Sequence, residues 1–259
     1  MTKGTALVTG ASAGLGVLFA EALAADGHAL ILTARRGDRL GALAERLRAA
    51  HGVAVDTIAL DLAAPGSADA LMAEIAARGL AVNLLVNNAG FGLGGAFAAQ
   101  DRSQLARMIA LNCRSLTELC HAVLPGMIQM RRGAILNVAS TAAFQPGPGM
   151  AVYYATKAFV LSLSEALHEE VRRDGVRVTA LCPGPTATEF FNAAGVGGSS
   201  ALSKLAGDPA KVVRDGLAAL AANRAVKVSG AANAAMAFAT RLTPRIVLRR
   251  VVAATQRAR

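Results

Sequence analysis

The sequence predicts an α/β fold: one doubly wound parallel sheet with helices on both faces, three layers in a single domain. Three observations carry this prediction. Short apolar runs rich in Val, Leu and Ala recur as far as Leu181 of the 259 residues, and stretches with helical spacing separate them. The runs are continuously apolar rather than alternating, as strands buried on both faces are. No linker, repeat or low-complexity tract divides the chain.

In chain order, Thr5 to Thr9 is the first strand, and glycines at 10, 14 and 16 open a helix that closes at Asp26-Gly27. Ala29 to Ala34 is the second strand. Asp38 is placed to cap the next helix, which runs to about Ala50. Val53 to Leu60 is the third strand, Ser67 to Arg78 a helix and Val82 to Val86 the fourth strand. A long helical region follows, from about Asp101 to Met130. Ala134 to Val138 is the fifth strand, a long helix starts at Ala151, and Val176 to Leu181 is the sixth strand.

Composition narrows the function classes. A chain that is 54% hydrophobic and 17% charged is not a disordered one. The start, MTKGTALVTG, runs directly into a strand, which leaves no room for a signal peptide, and no apolar run is long enough to span a bilayer. Cys113, Cys120 and Cys182 show no CxxC spacing and read as buried thiols in a reducing cytoplasm. His28, His51, His121 and His168 show no metal-ligand spacing, so no metal is expected. Of the net charge of +10, six arginines from Arg241 onward, with no acid among them, carry more than half. A uniformly basic nucleic-acid surface does not fit that distribution.

Two stretches carry chemistry. The first is the turn Thr9-Gly10-Ala11-Ser12-Ala13-Gly14-Leu15-Gly16, where glycines let a backbone approach a pyrophosphate and the helix N-terminus favours its charge. A tight turn that binds nothing is the plainer reading. Gly10 to Gly14 also fits G-x-S-x-G, the nucleophile elbow of a serine hydrolase, with Ser12 as nucleophile and a later histidine such as His168. An elbow normally lies deeper in the sheet than the first strand. The second stretch is Ser140 to Lys157. Tyr153 and Lys157 are four apart on one helix face, and an ammonium beside a phenol is expected to lower its pKa toward use as an acid or base. Tyr154 points elsewhere around the helix. Such a pair, taken alone, is usually a solvated face.

Taken together and in order, these motifs resemble the short-chain dehydrogenases/reductases over nearly the whole chain. TGASAGLG is similar to the family's coenzyme loop, which brings in Gly10, Ser12, Ala13, Gly14, Leu15 and Gly16. Asn87-Asn88-Ala89-Gly90 is similar to its NNAG motif, which supports the sheet and flanks the adenine ribose. Asn112, Ser140, Tyr153 and Lys157 fall where the family places its catalytic four, and Pro183-Gly184 resembles its PG motif. Thr188 fits the threonine that holds the nicotinamide amide, while Thr186 departs from the usual apolar β-branched residue. The resemblance implies a Rossmann-type domain, a nicotinamide cofactor, a small-molecule substrate and reversible hydride transfer between the cofactor and a carbonyl or alcohol. In reduction, Ser140 would hydrogen-bond the carbonyl oxygen and Tyr153 would protonate it. Lys157 would tune Tyr153 and hold the nicotinamide ribose, and Asn112 would anchor a water leading to solvent. A homodimer or homotetramer is implied on the same basis. A non-catalytic nicotinamide-binding regulator on this scaffold is the alternative.

The second strand ends LTARR, with Ala34 where family members using NAD usually carry an acid. Arginine suits the 2′-phosphate of NADP(H), so Arg35 is the first choice, with Arg36 beside it and Ser12 adding a hydroxyl. Two solvated arginines is the bland alternative. Asp61, followed by Leu62, resembles the family's adenine-contacting acid and otherwise caps a turn. Residues 186–205 read as a Gly/Ser/Ala-rich flap over the site. Phe91, Phe144, Phe190 and Phe191 are candidates to line an apolar pocket for a hydrophobic ketone, aldehyde or alcohol. The tail, residues 241–259, forms a last helix opened by Pro244, with Arg245, Arg249, Arg250 and Arg257 to one side and Val247, Leu248, Val251 and Val252 largely opposite. Such a helix packs on the domain or on a second subunit, the favoured reading, or makes weak peripheral contact with an anionic membrane.

Overall fold

The computed structural model describes residues 3–186 and 207–257, with side chains as far as Ala254. Seven parallel strands form one sheet: β1 (Thr5–Thr9), β2 (Ala29–Ala34), β3 (Val55–Ala59), β4 (Leu84–Asn87), β5 (Gly133–Val138), β6 (Val176–Cys182) and β7 (Val226–Val228). Their order is β3-β2-β1-β4-β5-β6-β7. The chain winds outward from β1 in one direction and from β4 in the other. A crevice therefore opens between the C-terminal ends of these two strands, the place where such sheets bind ligands.

Successive strand residues face opposite sides, which divides the core in two. Ala6, Val8, Leu30 and Leu32 meet α1 (Leu15–Ala25), α2 (Gly37–His51) and α7 (Pro209–Ala221) on one face. Leu7, Ile31, Leu85 and Ile135 meet α3 (Ser67–Ala77), α5 (Leu116–Gln129) and α6 (Ala151–Val171) on the other. Between α3 and α5 lies α4 (Arg102–Ile109), and the chain ends with α8 (Ala231–Leu242) and α9 (Arg245–Arg257). Among the described residues, no helix is long and apolar enough to cross a membrane.

Four expectations need correcting. The helical region from Asp101 is not continuous: a π-helical turn over Ala110–Ser115 separates α4 from α5. Asp38 does not cap α2. Arg36 takes the extended cap conformation and Asp38 falls inside the first turn, where its charge still suits the helix dipole. β3 is shorter at both ends than the apolar run, and β4 is displaced so that Asn87 occupies its last position. β7, three residues long, and the helices α7 and α8 that flank it lie past the last strand that the sequence predicts.

Asn87 pairs with Asn137 across β4 and β5, and both are buried. Asn87 Nδ2 donates to Asn137 Oδ1 at 3.0 Å, and Asn137 Nδ2 donates to Ser164 Oγ of α6 at 2.9 Å. This chain of amides fixes α6 against the sheet centre. Asn137→Leu keeps the branched outline and takes one partner each from Asn87 Nδ2 and Ser164 Oγ, which retain Cys120 Sγ and the Val160 carbonyl, an expected loss of about 2 kcal/mol and about 6 °C in melting temperature. A thermal melt unchanged from the wild type would show that α6 is held by apolar packing alone.

Candidate active site

The glycine turn is built by steric necessity. Gly10 and Gly14 adopt φ of 68° and 56°, and a side chain on Gly16 would strike the Gly10 carbonyl. Helix α1 begins at Leu15 with Gly14 as its cap residue, and its first turn has neither a capping side chain nor an acid. Its leading N–H groups therefore suit an anion. Beside the turn, Thr9 Oγ1 accepts from the N–H groups of Asn88 at 3.0 Å and Ala89 at 2.9 Å. Asn88 Nδ2 donates back to the Thr9 carbonyl at 2.9 Å. Thr9 thus ties the ends of β1 and β4 together and brings Asn88, Ala89 and Gly90 to the crevice.

Of the two arginines after β2, Arg36 lies on this turn. Its Nε and Nη2 each donate to Ser12 Oγ at 3.2 Å, and Nη2 also donates to the Ser12 carbonyl at 3.2 Å. Arg35, first choice on sequence, is exposed and contributes charge toward Asp61 instead. Asp61 is engaged twice: Oδ1 accepts from Ala63 N–H at 3.0 Å and Oδ2 from Arg107 at 2.7 Å. Burial would push this carboxyl up, but the Arg107 and Ala63 hydrogen bonds and the charges of Arg107 and Arg35 hold it below the ordinary value. Leu62 is buried in the core beneath.

Ser140, Tyr153, Lys157 and Asn112 converge at the C-terminal ends of β4 and β5. Lys157 is buried and donates from Nζ to the Val138 carbonyl, the last residue of β5, at 2.8 Å. The same Nζ is 5.8 Å from the centroid of the Tyr153 ring. Ser140 Oγ accepts from Ala142 N–H at 3.1 Å, stands 3.5 Å from the Pro183 carbonyl and hydrogen-bonds the Tyr153 phenol. Asn112 sits in the π-helical turn, its Oδ1 accepting from Phe91 N–H at 3.1 Å. Its Nδ2 donates to the Phe91 carbonyl at 2.9 Å and to Thr156 Oγ1 at 3.0 Å. A side chain on Gly90 would lie 3.0 Å from Asn112 Oδ1 and 3.6 Å from Lys157 Nζ, so the glycine leaves room for both.

The electrostatics differ from the sequence expectation. Burial pushes the Tyr153 phenol up to about 12, opposed by the Ser140 hydrogen bond and reinforced by Tyr154. Burial is the larger influence on the phenol, and the nearby ammonium, bonded to the Val138 carbonyl, is itself desolvated. Burial pushes Lys157 down to about 8.

Gly184 is pressed against Asn233 of α8, and Thr186 Oγ1 donates to the Gly184 carbonyl at 2.9 Å. Thr188, Phe190, Phe191 and most of the predicted flap lie outside the described residues. Phe91 packs on the cluster of Met108, Ala142, Met150 and Tyr153, whereas Phe144 packs on the α3–α5–α6 face of the sheet. The hydrolase alternative finds no support. Ser12 is engaged by Arg36, and His168 is buried with Nδ1 2.8 Å from the Val178 carbonyl. Thr9, Thr156 and Arg107 were not singled out from sequence. Thr156 lies between Tyr153 and Lys157 and was within reach of helical spacing, but Arg107 meets Asp61 across 46 residues with no local signal.

A model of the short chain dehydrogenase family matches residues 4–197, leaving α7, β7, α8 and α9 beyond it. The chain is 43% identical over 185 residues to a sulfoacetaldehyde reductase of Chromohalobacter salexigens, covering 71% of this chain and 72% of that one. It is 40% identical over 186 residues to the NADP-dependent 3-hydroxy acid dehydrogenase YdfG of Salmonella typhi, covering 71% and 73%. Among solved structures, a short-chain dehydrogenase from Sphingobium yanoikuyae in complex with NADPH superposes with a TM-score of 0.81 at 38% identity, covering 87% of each chain.

The Lys157 ammonium is destabilised in the folded state, so between about pH 8 and 10.5 this group binds more protons in the unfolded chain and its own contribution to stability rises with pH. The thiols of Cys113, Cys120 and Cys182, pushed up from 9.0 by burial, act the other way. Tyr153 acts as the thiols do. Its contribution is full below the unfolded value of 10.0 and is lost as pH rises through about 12. Lys157→Met is expected to remove the Lys157 contribution, so that over pH 8 to 10 its melting temperature falls relative to that of the wild type, and to keep the decline above that window. Melting temperatures of both proteins against pH check this, and parallel profiles over that window would refute it.

Proposed function

The chain belongs to the short-chain dehydrogenases, an oxidoreductase family, and from that premise we propose an NADP(H)-dependent enzyme acting on the carbonyl or secondary alcohol of an apolar small molecule. One observation carries the reading. A buried phenol bearing a serine hydroxyl, with an ammonium one helical turn away, stands at the crevice beside an anion-suited glycine turn.

The residues present fit a nicotinamide dinucleotide, since the close-packed glycine turn ends on Gly14 and presents the uncapped leading N–H groups of α1 with no acid beside them. In this reading the turn Gly10, Ser12, Ala13, Gly14, Leu15 and Gly16 holds the pyrophosphate. Arg36, with Arg35, meets the 2′-phosphate. Asp61 and Leu62 lie at the adenine, and Asn88, Ala89 and Gly90 flank the ribose. Pro183, Gly184 and Thr186 border the nicotinamide, and the family resemblance assigns Thr188 to its amide. The bound cofactor supplies or accepts the hydride, and the protein positions and polarises. In reduction Ser140 donates a hydrogen bond to the carbonyl oxygen and Tyr153 delivers the proton. A phenol held at about 12 is fully protonated at neutral pH, which suits the donor role. Lys157 holds the nicotinamide ribose and restores the proton. Asn112, whose amide is committed to Phe91 and Thr156, serves to position the surroundings of Lys157.

NADP(H) is supported by Arg36 on Ser12, by the NADP-dependent relative and by the NADPH-bound neighbour. An apolar substrate is supported by Phe91, Leu93, Met108 and Met150, which pack with Tyr153 in one cluster. An open apolar strip of Ile109, Val152, Ala155 and Phe159 on the outer side of α4 and α6 supports a homodimer or homotetramer. Three free thiols fit a cytoplasmic setting.

NADPH is expected to raise the melting temperature more than NADH does, and Arg36→Ala is expected to erase the difference. With a ketone and alcohol panel, Tyr153→Phe is expected to cut turnover at least about a hundredfold while NADPH-induced stabilisation stays near wild type. Substantial residual turnover would refute the role of Tyr153. A flat panel with intact NADPH binding would favour the non-catalytic regulator.

A further inference from the structure

We propose that the C-terminal helix pair, α8 and α9, seats the protein on the surface of an anionic lipid bilayer. The two helices are joined by Thr243 and Pro244 and dock sparsely on the domain. α8 buries Ala237, and α9 turns Leu248 and Val252 inward, one helical turn apart. The large apolar side chains lie outside: Phe238 is 60% and Leu242 74% exposed, and Ile246, Val247 and Val251 continue the exposed surface onto α9.

The charge of this segment chooses the occupant. After Asp215 the remaining 44 residues contain eight arginines and lysines and no acid. Lys227 faces Asp215 at 4.0 Å. Arg241, Arg245, Arg249 and Arg250 are exposed, and among the described residues none of them is ion-paired. A second copy of the chain meeting this face about a two-fold axis would set each arginine among its like, with no carboxylate in the segment to answer it. A bilayer of acidic phospholipid answers both features. Its acyl boundary takes the aliphatic and aromatic side chains, and its phosphates accept the planar guanidinium groups in pairs. The arginine stems can lie along the apolar surface while their heads stay at headgroup level.

Sedimentation of the full-length protein with vesicles tests the assignment. It is expected to pellet with vesicles of equimolar phosphatidylcholine and phosphatidylglycerol, to stay in solution with pure phosphatidylcholine, and to be released by salt. Phe238→Ser/Leu242→Ser/Val247→Ser and Arg245→Gln/Arg249→Gln/Arg250→Gln are each expected to weaken binding at least about tenfold with unchanged melting curves. Should the apolar triple variant fail to fold, Leu242→Ser alone, the most exposed site, is expected to weaken binding measurably. Wild-type protein that ignores both vesicle types overturns the proposal, as does binding indifferent to the apolar changes. An oligomer that light scattering shows falling to a smaller species in the apolar variant also overturns it, by assigning the face to a second copy.

Discussion

A lysine ammonium held out of water is the constraint around which the site is arranged. Lys157 on α6 reaches the carbonyl that closes β5, and that bond ties the site end of α6 to the sheet. Gly90 lacks a side chain because the amine and the Asn112 amide occupy its flank. The π-helical turn carries Asn112 to where its amide bonds Phe91 on one side and Thr156 on the other. Thr156 in turn donates to the Tyr153 carbonyl at 2.7 Å. These pieces come from four separate elements, and each limits where the others can go. Burial penalises the charged amine and the ionised phenol alike, so the pair sits closer to neutral than its spacing alone implies.

The sheet supplies the rest of the frame. Its winding reverses between β1 and β4, and the candidate groups gather at the C-terminal ends of those strands and of β5. Buried amides from Asn87 to Ser164 hold α6 in place from the opposite direction. A polar file through an apolar core is costly unless every member is bonded, and here each one is.

Much of this was legible in the amino-acid sequence. Continuous apolar strands fixed the layers, and glycine spacing marked the first turn. Four-residue spacing paired Tyr153 with Lys157. What escaped was of two kinds. Contacts made across the fold, such as Arg107 on Asp61 or Thr9 on Asn88, leave no trace in local spacing. Choices between neighbours depend on backbone direction: Arg36 rather than Arg35 reaches Ser12, and the extended cap at Arg36 moves Asp38 inside α2. The sign of the Tyr153 shift escaped for a third reason, since spacing reports proximity and is silent on dehydration.

Thr9 has a further implication. Neighbouring strands ordinarily keep their separation through ladder bonds, but past Val8 and Val86 the β1–β4 register has ended and one hydroxyl takes over. It receives two N–H groups and gives its own proton to the Val86 carbonyl at 3.3 Å. The aperture of the cleft is thus set by this hydroxyl together with the Asn88 amide, which bonds the Thr9 and Gly10 carbonyls. Valine has the same shape and would fill the same space in the core, yet it would leave the two strand ends joined by the Asn88 amide without the hydroxyl's three bonds.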